Sequence, residues 1–241
     1  MAGISSPGYR HLEPELDREL SELDRDPEPD PETRGLALAA SATAAGRRDA
    51  TRAVLRLLLR RGTSTEALRA AILQTYLFAG YPRAINALAE LSALLPEPGE
   101  VPVVDLAGEI GQDREWLARG EALCRRVYGG AYDKLLMTMA RISPDLGRWM
   151  VVEGYGKVLS RSPLGPRRLE LVALGALLAL DVPDQLRAHM RGALRCGATP
   201  GEISGVVRTA ALLTPESRAL GEATLAAVLE RVPFLQRHPH P

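Results

Sequence analysis

The sequence predicts an all-α protein built from two tandem, similar helical bundles. Three observations carry that expectation. The 241-residue chain is 46% hydrophobic but only 4% aromatic, so its core must be assembled from Leu, Ala and Val. Such a core suits close-packed helices better than a sandwich or barrel. Strand signals are scarce: the best is "VPVVDL" at 101–106, inside the Pro- and Gly-containing stretch 96–112 that reads as a connector. Finally, the two halves match in pattern and punctuation at an offset of 135 residues.

The elements follow in chain order. Residues 1–32 read as an acidic N-terminal leader, since 13–32 hold ten acidic groups against Arg18 and Arg25, the composition of a solvated segment. "PEPDPE" at 27–32 reads as a loop, because proline disfavours the helical region for the residue before it. The first repeat is expected over 33–95, with helices at 35–46, 47–61, 65–79 and 82–94. A connector with one helix, 112–127, spans 96–129. The second repeat is expected over 130–231, with helices at 130–141, 144–160, 167–180, 184–195, 200–213 and 215–230, before a tail at 232–241.

The offset places "TRGLALAASA" (33–42) on "RLELVALGAL" (168–177), and "AVLRLLLRRGTSTEAL" (53–68) on "AHMRGALRCGATPGEI" (188–203). Gly62 meets Gly197, and both suit the left-handed position just past a helix end. Ser64 meets Thr199, and both suit N-caps, where a side-chain oxygen takes up a free backbone N–H. One stretch, "LRAAILQTYLFAGYPRAINALAEL", runs a helix into Gly80-Tyr81-Pro82 and then resumes. Glycine there admits close backbone approach, and proline can open the next helix in its first turn.

Composition narrows the function classes. The formal net charge is zero, so no basic field for nucleic acid is expected. Cys124 and Cys196 are the two cysteines and form no CxxC, which argues for a reducing compartment and against a disulfide framework. No basic segment followed by an apolar one opens the sequence, and the longest uncharged apolar run, Leu171 to Leu180, is too short for a bilayer. A soluble, cytoplasmic protein without membrane partners is the expectation.

Candidate chemistry rests on few residues. Of four histidines, His11 lies in the leader, and His238 and His240 form a weak metal pair in the tail. No cysteine or carboxylate cluster has ligand spacing, so neither metal nor cofactor is expected. His189 differs, because Leu186, Met190, Ala193 and Leu194 form a helical stripe on which it lies. It reads either as a core histidine satisfied by a carbonyl or as an inward proton-transfer group. Glu170 precedes ten uncharged residues at the mouth of a buried helix. It reads either as a partner for His189 or as a first-turn glutamate favoured by the helix dipole. The turn at 181–183 folds the two helices antiparallel, with the two side chains offset several ångströms along the axis, so a bridging water or a third group is expected between them.

"RRLELVAL" followed by "DQLRAHMRGALRCGATPGEI" resembles the core of the carboxymuconolactone decarboxylase family, and "LQTYLFAGYPRAINAL" resembles its closing segment. The alkylhydroperoxidase branch belongs to the same superfamily. The likeness covers about 33–95 and 130–230 and is more specific in the second half, where an arginine–glutamate pair, a histidine and the following glycine stand at family spacing. It implies an all-helical fold, a fused pseudo-dimer of two repeats, and a homo-oligomer of three such chains. It implies a pocket walled by Gly80-Tyr81-Pro82, with Tyr81 and Gln185 among the substrate-binding residues. Peroxidase members carry a CxxC where this chain has Val182 and Gln185, which removes the thiol mechanism at that site. Decarboxylase members often have glutamate at the position of Gln185. The first repeat has Gly35 and Val54 in place of Glu170 and His189.

Three functions follow. The first is a cofactor-free lyase on a small carboxylated or lactone-type substrate, with His189 as acid, Glu170 as its orienter, and Arg161 or Arg168 as carboxylate anchor. The second is a non-catalytic homologue that binds a ligand or partner. The third, least favoured, is a peroxidase role using Cys196, two turns beyond His189.

Overall fold

The computed structural model describes residues 12–97 and 103–230, and every regular element among them is helical. The first half runs α1 (Leu12–Leu23), α2 (Pro31–Ala45), α3 (Arg48–Arg60), α4 (Thr65–Ala79) and α5 (Tyr81–Ser92). The middle holds α6 (Asp113–Tyr128), α7 (Tyr132–Ile142) and α8 (Pro144–Trp149). The chain then continues through a π-helix, Met150–Val158, and a 3-10 turn, Leu159–Arg161. The second half runs α9 (Pro166–Leu180), α10 (Pro183–Arg195), α11 (Pro200–Ala210) and α12 (Ser217–Glu230).

Local chemistry sets most of these ends. Asp30 caps α2 by accepting from Thr33 N at 3.0 Å, with Pro31 at the first turn. Gly62 (φ 81°) and Gly197 (φ 93°) both adopt the left-handed conformation. Ser64 accepts from Ala67 N, and Thr199 forms a capping box with Glu202. The punctuation expected in both repeats is therefore present in both.

The repeats pack as a pseudo-symmetric pair. α2 lies along α9 at the centre, and each is buried over three turns, from Thr33 to Ala44 and from Leu169 to Leu178. A Cβ at Gly175 would collide with the Ala37 carbonyl, so that glycine sets how closely the two helices approach. α2 packs on α3 and α4 just as α9 packs on α10 and α11. Each repeat also reaches across, α4 against α9 and α11 against α2. The core is aliphatic, and each fully buried leucine contributes roughly 1.5–3 kcal/mol.

Three features differ from the sequence reading. The acidic leader is not simply solvated: Leu16 and Leu20 of α1 are buried, and α1 packs on α3. Its acids meet arginines, with Glu13 on Arg60 and Arg56, Asp17 on Arg61, and Asp26 on Arg208. The charge run masked two leucines spaced at i and i+4. The expected loop at 27–32 ends early, since α2 already starts at Pro31. The expected helix 144–160 is one continuous helical rod of three kinds, α, π and 3-10. The stretch 96–112 agrees with its reading as a connector where it is described: residues 103–106 of "VPVVDL" are irregular and exposed, while 101 and 102 lie outside the described residues. So do His11, His238 and His240.

Candidate active site

Glu170 sits just inside α9, and His189 lies in the middle of α10. Asp181, in a left-handed conformation (φ 54°), turns the chain between those helices. The antiparallel pair brings His189 Nδ1 to 2.9 Å from Glu170 Oε2. Both residues are buried, at 9% and 3% exposure. The expected gap and its bridging group are thus corrected to a direct bond. Rise along the axis was the wrong measure alone, because the glutamate side chain spans the offset and Gly192 makes room for it. A Cβ at Gly192 would stand 2.5 Å from Glu170 Oε2 and 2.8 Å from Val127 Cγ1.

Among the described residues none bonds His189 Nε2 or Glu170 Oε1. Phe78, at the end of α4, meets the imidazole edge-on with ring centroids 5.2 Å apart. A side chain of the first repeat therefore walls the second repeat's polar pair.

Protonated groups complete the surroundings. Tyr155 OH, from the π-helix, lies 3.1 Å from Tyr128 OH at the end of α6. Burial pushes Tyr128 up to about 12, and the nearby Glu170 carboxylate adds to that. Burial first, and Glu170 second, push the Cys124 thiol up to about 12 and the Cys196 thiol up to about 11. Both thiols are protonated at neutral pH, the opposite of an activated cysteine.

The first repeat lacks all of this. Gly35 and Val54 are buried in the equivalent places, and a Leu58 methyl lies 2.7 Å from where a Cβ of Gly35 would stand. An aliphatic side chain thus stands against Gly35 where the second repeat has its carboxylate, and both Gly35 and Leu58 border a cleft of about 410 Å³.

The remaining candidates are dispersed. Gln185 is exposed one turn before His189. Arg168 does not reach Glu170; it binds Glu32 at 2.8 Å and Asp30 at 3.5 Å, at the start of α2. Its neighbour Arg167 pairs with Glu202. Arg161 and Tyr81 line one cleft of about 610 Å³, whose walls include neither Glu170 nor His189. Tyr81 stacks on Tyr76 there, with centroids 4.8 Å apart. Sequence reasoning passed over Phe78 and gave Gly192 no role of its own. Their signals were a ring one helical turn beyond Gln74, and a glycine at i+3 from the histidine.

A sequence model of the carboxymuconolactone decarboxylase family matches two segments, residues 16–93 and 144–228, which together make up more than half of the chain. The chain belongs to this family. The two carboxymuconolactone decarboxylase segments take in most of α1 through α5 and nearly all of α8 through α12, which makes the protein a two-repeat member. Peroxisomal protein 2 of Schizosaccharomyces pombe is similar to it, 33% identical over 137 residues, 56% of this chain and 63% of the fungal one. Peroxisomal protein 2 of Saccharomyces cerevisiae is 26% identical over 173 residues, 62% of this chain and 61% of its own. The chain spans less than two thirds of the length of either relative.

Proposed function

We propose that the protein is a carboxymuconolactone decarboxylase-like lyase that moves a proton on a small carboxylated or lactone-type substrate. The observation that carries this is the buried His189–Glu170 bond, with Nε2 bonded by none of the described residues. Glu170 accepts from Nδ1–H and so fixes the ring orientation. In the reaction, the C–C bond to the departing carboxylate breaks and CO2 leaves. The bonding pair stays on carbon as an enolate conjugated with the adjacent carbonyl. The protonated ring delivers its Nε2 proton to that carbon and recovers one from solvent. No cofactor enters the sequence of steps.

Two other readings remain in view. Gln185, an exposed amide that cannot shuttle a proton, favours a homologue that binds its ligand without turnover. Thiol-peroxidase chemistry has the least support, since burial keeps both cysteines protonated. The test is CO2 release from a panel of carboxylated lactones. Turnover by the parent that disappears in His189→Gln supports the lyase; binding without CO2 release supports the second reading.

Assembly and compartment belong to the proposal as well. Exposed apolar side chains such as Ile85, Ile142 and Trp149 support a homo-oligomer, with three two-repeat chains the expected size. A monomer by light scattering at micromolar concentration would end that part. Among the described residues no helix is long and apolar enough to cross a membrane. The fungal relatives are named for the peroxisome, so that organelle stands beside the cytoplasm, and fractionation of native cells decides between them.

A further inference from the structure

We propose that the cleft between α4–α5 and the Lys157–Arg161 segment is a second binding site, for a small ring-bearing carboxylate with a hydroxyl donor, and that Glu109 holds the carboxylate's seat in the free chain. The cleft's volume, about 610 Å³, falls within the range of small-molecule sites. Its apolar wall comes from Leu73, Leu88 and Val158. The stacked Tyr76–Tyr81 pair offers a flat face for a ring, and Tyr81 is 62% exposed.

The cationic end already holds a carboxylate. Glu109 Oε1 accepts from Arg161 Nη1 at 2.9 Å, and its other oxygen pairs with Lys157. Lys157 first, and then Arg161, lower Glu109 from its ordinary carboxylate value. Glu109 comes from a poorly anchored segment: Val103, Val104, Leu106 and Ile110 are each more than three-quarters exposed. A surface ion pair of this kind contributes little stability, so a ligand carboxylate can displace it. Arg69 lines the same cleft and pairs with no acid among the described residues. A guanidinium and an ammonium around one anion is the donor set for a carboxylate.

The hydroxyl follows from Gln74. It is 1% exposed, lines the cleft, and donates Nε2–H to the Leu169 carbonyl at 2.9 Å. Its Oε1 is buried with no partner among the described residues. A buried acceptor without a donor is costly, and a ligand hydroxyl would supply one.

The site does not depend on the lyase reading, since neither His189 nor Glu170 lines it. The probe is 4-hydroxybenzoate, titrated calorimetrically into the full chain, with circular dichroism confirming that each variant is folded. Glu109→Gln should bind at least about fivefold tighter than the parent, the effect of removing a competing exposed ion pair. Arg161→Gln should weaken binding at least about tenfold. Benzoate should bind more weakly than 4-hydroxybenzoate, and His189→Gln should bind like the parent. Glu109→Gln binding no tighter than the parent overturns the seat-holding role. Arg161→Gln binding as well as the parent, or no heat from either parent or Glu109→Gln, overturns the site while leaving the lyase proposal standing.

Discussion

Both repeats bury a charged side chain near the start of the central helix, and they use it in opposite ways. In α2 the residue is Arg34, fully buried, whose Nη2 donates to the carbonyls of Asp26, Glu28 and Pro29 while Nε lies 3.1 Å from Asp24 Oδ1. Every one of those contacts belongs to the segment just before the helix, so the charge fastens the chain to itself. In α9 the residue is Glu170, one register further along, and its partner His189 comes from the next helix. That pair leaves one nitrogen and one oxygen unbonded by the described residues. Unbonded atoms do not separate the two, since Arg34 Nη1 is also buried without a partner among the described residues. What separates them is that Arg34 stays permanently charged within its own segment, as a clasp, whereas the imidazole from the next helix can take up and release a proton.

The swap is also one of volume. Glu170, His189 and Gly192 in the second repeat stand where Gly35, Val54 and Leu57 stand in the first. The larger residue moves from the first position of the trio to the last. Interiors are packed tightly enough that neither set fits the other repeat unchanged.

The change that strains this comparison most is Gly35→Glu. It puts a carboxylate against Leu58 with no imidazole beside it, and the expected loss is at least about 3 kcal/mol in urea unfolding. Adding Val54→His and Leu57→Gly should recover part of it. A single-variant cost below about 1 kcal/mol would mean that the first repeat has room the comparison denies it. Next comes Gly192→Ala, whose methyl meets both Glu170 and Val127. A loss of about 1–3 kcal/mol is expected, together with a parallel fall in any activity. An unchanged rate would separate the glycine from the pair.

Acid should act on the clasp. Arg208, the Glu28 backbone N–H and Arg34 hold Asp26 below its ordinary value of 3.8. Asp30 is lowered too, although burial opposes it, because Thr33 bonds it and Arg168 and Arg167 stand near. Carboxyls depressed in the folded state contribute stability above the unfolded value and lose it as pH falls through the folded one. Thermal midpoints should therefore fall progressively below about pH 4, and less steeply in Arg208→Gln. Equal slopes would remove Asp26 from the explanation. The smallest effect is expected from Cys124→Ser with Cys196→Ser, which should leave turnover within a few-fold of the parent. Loss of peroxide turnover in that variant would reverse the ranking of lyase over peroxidase.

What the sequence made legible was short-range. Gly62, Ser64, Gly197 and Thr199 act within a turn of their own helix, and each stands where its chemistry requires. The inward face of His189 followed from its stripe of neighbours. Partners far along the chain were not legible. Arg168 finds Glu32 across the repeat interface, and Phe78 reaches His189 from the other half. Nothing in either segment's own pattern marks those contacts. The π-helix left no compositional trace, and the leucines of α1 were hidden by their acidic neighbours.

The most direct test sets turnover against stability in His189→Gln, with Val54→Ala as the first-repeat counterpart. Gln keeps most of the side-chain volume and can still donate to Glu170, but it cannot transfer a proton. CO2 release should fall by about 10²–10⁴-fold in His189→Gln while its urea midpoint stays close to the parent's. Val54→Ala should do the reverse, losing stability and keeping its rate. A His189→Gln protein that unfolds early and still turns over like the parent would make the buried pair a structural bond and nothing more.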